Sequence, residues 1–161
     1  MINIKILCVG KIKEKSMQDT LNEYVKKLSK FAKVDIIELQ DEKIPETKNK
    51  SDELKVIDIE SKKIINELNK INKKNIFLCD LSGKEYSSIE FSNLLEKSFI
   101  SSSTLVFIIG GSLGVNEDLR KIADYKICFS KMTFPHQLFR IFLVEQIYRG
   151  FKIINNETYH K

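Results

Sequence analysis

The chain has 161 residues, 42% of them hydrophobic and 30% charged, a balance that suits one soluble globular domain with its own core. No apolar run approaches the roughly 20 residues of a membrane-spanning helix, and Ile2–Val9 opens the chain as a strand-like run without the basic, apolar and small-residue pattern of a secretory leader. Lys and Arg number 27 against 22 Asp and Glu, a net +5, which is compatible with a polyanionic partner without requiring one.

Cys8, Cys79 and Cys128 are odd in number and widely spaced, with no CxxC pair. A disulfide framework is therefore not expected, and each thiol reads as buried packing in an apolar stretch. His136 and His160 are the only histidines, too few for the usual structural zinc site, so no metal is expected. These features together predict a reduced, cytoplasmic protein.

The elements alternate along the chain. Ile2–Val9 is a short apolar run ending at Gly10, the pattern of a buried strand. Met17, Leu21, Tyr24, Val25, Leu28 and Phe31 follow at helical spacing, and 34–39 is a second strand. The polar stretch 41–51, which contains Pro45, reads as a loop. Leu54, Ile57, Ile64, Leu68 and Ile71 mark a longer helix with a charged outer face. A third strand spans 75–81 and ends in a Ser82-Gly83 turn. Ser87 or Ser88 then caps a helix carrying Phe91, Leu94, Leu95 and Phe99, with Glu90 in its first turn.

The most apolar strand, 105–109, runs into Gly110-Gly111, and a short helix capped by Asn116 follows to about Ala123. The fifth strand covers 126–129, and Pro135 opens a last helix that reaches about Phe151. Alternating strands and helices predict an α/β fold, a mainly parallel sheet flanked by helices, within one domain over 1–161.

That last helix is apolar around much of its circumference. Leu138, Phe139, Phe142, Leu143 and Ile147 form one face, and Ile141, Val144, Tyr148 and Phe151 a second. Such a helix is buried on more than one side. In a short chain a second copy is a natural source of the second surface, which predicts a homodimer through this helix; the alternative is a helix buried wholly inside one protomer.

Three segments after residue 74 can carry chemistry. In Ile109-Gly110-Gly111-Ser112-Leu113-Gly114 a buried strand meets glycines, which let backbone approach a ligand at the carboxyl edge of the sheet. It lacks the Gly-Lys-Ser/Thr of a P-loop, and a tight turn without a ligand fits it equally. In Phe129-Ser130-Lys131-Met132-Thr133-Phe134-Pro135-His136-Gln137, backbone groups suit a base edge while Phe129, Met132 and Phe134 supply apolar walls. His136, near a helix start, reads as a capping or core residue before it reads as a base. The third is Gln146-Ile147-Tyr148-Arg149-Gly150 with the tail Glu157-Thr158-Tyr159-His160-Lys161. Tyr159, His160 and Lys161 have the chemistry to stack on a base, move a proton and touch phosphate. Arg149 suits a phosphate or base carbonyl, or, more plainly, a surface ion pair with Glu145 one turn earlier.

In this order, and with the opening Lys5-Ile6-Leu7-Cys8-Val9-Gly10-Lys11, these segments resemble the SPOUT methyltransferases. Within them the chain is most similar to the RlmH type, which methylates N3 of a pseudouridine in large-subunit rRNA. The resemblance covers essentially the whole chain. It implies a C-terminal trefoil knot, which nothing in the periodicity indicates, and S-adenosyl-L-methionine held in that knot. The implied contacts are Cys79, Gly110, Phe129, Ser130, Lys131, Met132, Thr133 and Phe134. Position 79 departs from the pattern, because similar proteins usually carry a larger aliphatic residue there; a backbone contact tolerates cysteine.

The implied substrate is a pseudouridine of 23S rRNA on assembled ribosomes, so that the ribosome itself supplies much of the recognition surface. Arg149, Tyr159 and His160 are the expected catalytic residues, with the donor from one protomer and the tail from the other, and with neither a metal nor a covalent enzyme intermediate. Two other functions keep the same fold: a SPOUT methyltransferase acting on tRNA, and a non-catalytic ribosome-binding factor. A flavodoxin-like nucleotide-binding module also fits the alternation but leaves Tyr159-His160 without a role.

Overall fold

The computed structural model describes residues 1–47 and 49–160. Lys48, within the expected 41–51 loop, and Lys161, the expected phosphate contact, lie outside the described residues. The chain runs β1 (Ile2–Val9), α1 (Lys15–Leu28), β2 (Ala32–Leu39), α2 (Lys50–Asn69), β3 (Asn75–Glu85), α3 (Ser88–Ser101), β4 (Thr104–Ile109), α4 (Glu117–Ile122), β5 (Tyr125–Cys128) and α5 (His136–Ile154).

The five strands lie in the order β2-β1-β4-β3-β5, and every strand pairing is parallel. Both faces of this sheet are covered, which is why the inner strand β4 is an apolar run without polar alternation. On one face Ile4, Ile6, Cys8, Phe77, Leu105 and Phe107 meet apolar side chains of α1, α3 and α5. On the other, Leu7, Val9, Leu78, Val106 and Ile108 meet Ile64 and Leu68 of α2 and Leu119 of α4. The α/β architecture of the sequence reading is the one observed.

Local chemistry sets the helix starts. Ser87 and Glu90 form a reciprocal capping box on α3, and the Asn116 side chain accepts from the Leu119 N–H at 3.0 Å at the start of α4. Pro135 sits at the N-cap of α5, one position before the first-turn place expected for it.

Two expectations need correction. Ser82-Gly83 is not a turn, because β3 continues to Glu85 past a register shift between Cys79 and Lys84 on its pairing with β5. A Cβ at Gly83 would stand 2.6 Å from the Lys126 carbonyl carbon, so glycine here answers a close backbone approach. The buried stripe of α2 is also rotated. Val56, Glu60, Ile64 and Leu68 face inward, whereas Leu54 is exposed.

Helix α5 lies between α1 and α3 and closes one face. Ile141, Leu143, Val144, Ile147 and Phe151 are buried against the same chain. Its own neighbours thus account for much of the apolar circumference, and Phe142 is left 40% exposed.

Candidate active site

In a parallel sheet all strands end at one edge, and connections leaving that edge are free to surround a ligand. The ends of β3, β4 and β5 do so here. Cys79, Asp80, Leu81, Ile109 and Gly110 form one side of a cleft of about 570 Å³ including its open mouth, and the β5–α5 connection forms the other. Phe129, Ser130, Met132, Thr133 and Phe134 line that second side, with His136 and Phe139 at its end. Every donor contact expected from the sequence lines this cleft except Lys131, whose side is turned to solvent.

The cleft walls are fixed from behind. Phe129 packs edge-on against Phe139, with ring centroids 5.0 Å apart. The Met132 N–H donates to Ser130 Oγ at 3.0 Å, tightening the loop. Arg120 of α4 donates from Nε to Asp80 at 2.8 Å, and Ser82 Oγ donates to the same carboxylate at 2.6 Å. Burial pushes Asp80 up, but these donors outweigh it and hold the carboxyl below its ordinary value. Burial keeps the Cys79 thiol well above its ordinary value and lifts Cys8 to about 12, so neither is a thiolate at neutral pH.

Behind the glycine loop lies a second, more polar cavity, lined by Gly10, Lys11, Gly111, His136, Glu60 and Arg140 among others. Helix α2 braces this region. Ser61 Oγ accepts from the Asn116 N–H at 2.9 Å, and Asn116 donates to Asp58 at 3.1 Å. Glu60 is 4% exposed; its Oε1 accepts from the Glu42 N–H at 3.0 Å and its Oε2 has no partner. Burial raises the Glu60 carboxyl above its ordinary value. Arg140 of α5 is 2% exposed, donating to Glu38 at 2.8 Å and to the Gly10 carbonyl at 3.1 Å, while its Nε has no partner. His136 borders both cavities. Burial and the adjacent Arg140 lower its imidazole, against a hydrogen bond to the Gly111 backbone.

The tail folds back on α5. Glu145 accepts from Arg149 Nε at 3.1 Å and Nη2 at 2.6 Å, the ion pair its spacing allows, and from the Tyr159 hydroxyl at 3.1 Å. Arg149 also lies over the Tyr159 ring, 4.7 Å from its centroid, with Nη1 3.4 Å from His160 Nδ1. Arg149, Tyr159 and His160 are therefore gathered into one cluster. They do not line the cleft of their own protomer. Glu145 and Gln146 line a neighbouring hollow that shares Ile127, Cys128, Phe129 and Phe134 with it.

A family model described as "Predicted SPOUT methyltransferase" matches residues 2–160. The chain belongs to the SPOUT methyltransferase family. Among its relatives, ribosomal RNA large subunit methyltransferase H 1 of Clostridium perfringens (strain SM101 / Type A) is 45% identical over 161 residues, covering 99% of this chain and 100% of that protein. Ribosomal RNA large subunit methyltransferase H of Clostridium botulinum (strain Alaska E43 / Type E3) is 48% identical over 163 residues, with the same coverage of each chain.

For this SPOUT methyltransferase, sequence reasoning singled out the cleft loop and the tail but passed over Glu60, Arg140 and the Asp80–Arg120 pair. The signal for Glu60 was present, since a carboxylate follows Val56 and precedes Ile64 at one-turn intervals on an otherwise apolar stripe. Arg140 likewise interrupts the apolar run from Leu138 to Val144. Among the described residues, no group of three or more His, Cys, Asp or Glu side chains is placed to hold a metal ion.

Proposed function

We propose that the chain methylates N3 of a pseudouridine in 23S rRNA on assembled cytoplasmic ribosomes, using S-adenosyl-L-methionine, and that residues 1–161 act as one knotted domain. The observation that carries this reading is the cleft at the ends of β3, β4 and β5, in a chain matched end to end by relatives named for large-subunit rRNA methylation. The cleft fits an adenosine: Phe129, Met132 and Phe134 offer apolar surface for the base plane, and the loop backbone offers donors and acceptors for its edge.

The bound donor supplies an already activated methyl group, so the protein's tasks are alignment and proton handling. Pseudouridine N3 must lose its proton as its lone pair becomes the nucleophile. Arg149 stabilises the negative charge that develops on the base carbonyls. Tyr159 stacks on the base, and His160 takes the proton. Because this cluster does not line the cleft of its own protomer, the reaction is completed in a homodimer, where one subunit's tail meets its partner's cleft.

The deciding experiment incubates the purified protein and labelled S-adenosylmethionine with ribosomes lacking the modification, and separately with tRNA. Mass spectrometry of the digested RNA should find one new N3-methylpseudouridine in 23S rRNA. Label in tRNA alone, or donor binding without transfer to any RNA, would replace this reading with one of its two rivals.

A further inference from the structure

Helices α1, α2 and α3 return the chain to the sheet edge opposite the cleft, where the next strands start. Strand pairing sets Ala32 beside Ile2, Asn3 beside Thr104, and Leu105 beside Asn75, so the connections entering β2, β4 and β3 lie side by side. Lysines crowd this edge. Lys30 and Lys33 flank the start of β2, Lys73 and Lys74 precede β3, and Lys97 stands one turn before the end of α3. Against them are Glu67, already paired with Lys70, Asp124, which accepts from the Ile76 N–H at 2.7 Å, and Glu96. At the cleft edge the signs are mixed instead, with Lys11 and Lys13 sharing a cavity with Asp41, Glu42 and Glu60.

Lysines at helix ends also offset the carbonyls there, and Lys74 does so by donating to the Ile71 carbonyl at 2.8 Å. Lys30, Lys33, Lys73 and Lys97 are different: all are exposed, and none makes an ion pair among the described residues. Like charges gathered without counter-charge favour a polyanion. From β2 to β3 the edge crosses three strand spacings, roughly 15 Å, wide enough for several phosphates of one backbone and too wide for one small anion. The edge also adjoins the tail. The ring of Phe31, next to Lys30, lies 6.2 Å from that of Tyr148, and Tyr148 lies 5.0 Å from Tyr159. We propose that these lysines bind the phosphate backbone of the RNA substrate, so that the subunit lending its tail also grips the strand.

This inference rests on the RNA-methylating reading above. Its test measures binding to ribosomes lacking the modification, and methylation kinetics, for two triple variants that remove equal charge. Lys30→Gln with Lys73→Gln and Lys97→Gln should weaken binding at least about tenfold near 0.1 M salt. It should also flatten the slope of log K against log salt by about 2, since each phosphate contact contributes roughly 0.7–0.9. KM should rise with the loss of binding, while kcat at saturating ribosomes and S-adenosylhomocysteine affinity stay within about twofold. Lys50→Gln with Lys55→Gln and Lys62→Gln, all exposed along α2, should change binding less than about threefold. Equal losses in the two variants would reduce the effect to net charge and overturn the inference. An unchanged salt slope in the first variant would overturn it too, and would turn attention to ribosomal protein as the surface held. A fall in kcat with binding intact would likewise defeat it. If the wild type labels tRNA instead, the same measurements on tRNA decide the role of the lysines separately from the choice of substrate. A wild type that binds neither ribosomes nor tRNA would remove both.

Discussion

Glu60 carries a consequence for stability that is separate from any ligand. Its carboxyl is buried with one oxygen unmet, and its folded value is raised above the ordinary 4.5. Below 4.5 the group is protonated in both folded and unfolded chains, and its neutral form is tolerated. As pH rises through the folded value the native state must ionise a buried group, so stability is lost in that window. Glu60→Gln keeps an oxygen to accept from Glu42 N–H and removes the charge. Without ligand it should therefore melt higher than wild type at neutral pH, by about 1 kcal/mol, with the gain vanishing near pH 4. A scan that found no gain at neutral pH would contradict a destabilising role for the buried Glu60 carboxyl. Arg149 makes the opposite kind of prediction. It sits outside the cleft of its own protomer, so Arg149→Ala should leave donor affinity unchanged and slow methylation at least about tenfold, roughly 1.4 kcal/mol of barrier. A wild-type rate in single-turnover assays would eliminate its role.

At the scale of elements, β5 and the tail matter most. Glycine at position 83 lets β3 pass the backbone of Lys126 and Ile127 at van der Waals limits, and β5 launches the 129–134 loop. Gly83→Ala should destabilise the fold by about 1–3 kcal/mol in urea titrations and weaken donor binding with it. A fold-neutral Gly83→Ala would mean that β5 gives way freely there. Ending the chain after Thr158 should do the reverse, preserving donor binding and abolishing methylation; full activity without the tail would refute its catalytic assignment.

These elements also show what the amino-acid pattern reveals and why it stops. Apolar runs and caps place β1, β4, α3 and α4 almost to the residue, because strand burial and N-cap hydrogen bonds are local. The extension of β3 past Ser82-Gly83 is invisible locally, since it depends on a partner strand more than 40 residues away in register with it. The same holds for Glu60 and Arg140: their types stand out on apolar stripes, but only the folded sheet edge puts them around one cavity. The tail residues were legible as chemistry, and their grouping around Glu145 required α5 to be a helix of the observed length.

The whole molecule leaves apolar surface where the reaction is expected. Leu81 is 59% exposed and Met132 75%, and both line the cleft; Phe142 is 40% exposed in the adjoining hollow, its ring 5.5 Å from that of Phe134. Such contiguous surface beside a site fits an isologous partner, and a partner's Arg149, Tyr159 and His160 would then complete a cleft that lacks them. The arrangement has an arithmetic test. Arg149→Ala spoils a tail but not a cleft. Gly110→Ala, whose methyl would press on Val115 at 2.5 Å, spoils a cleft but not a tail. Each homodimer should be inactive, with loss of donor binding by Gly110→Ala confirmed beforehand. Subunits dissociated, mixed in equal amounts and allowed to exchange form heterodimers about half the time, and each heterodimer has one intact cleft facing one intact tail. Activity should return to about one quarter of the wild-type value. If cleft and tail of the same subunit worked together, each chain would still carry its own defect, and mixing would restore nothing.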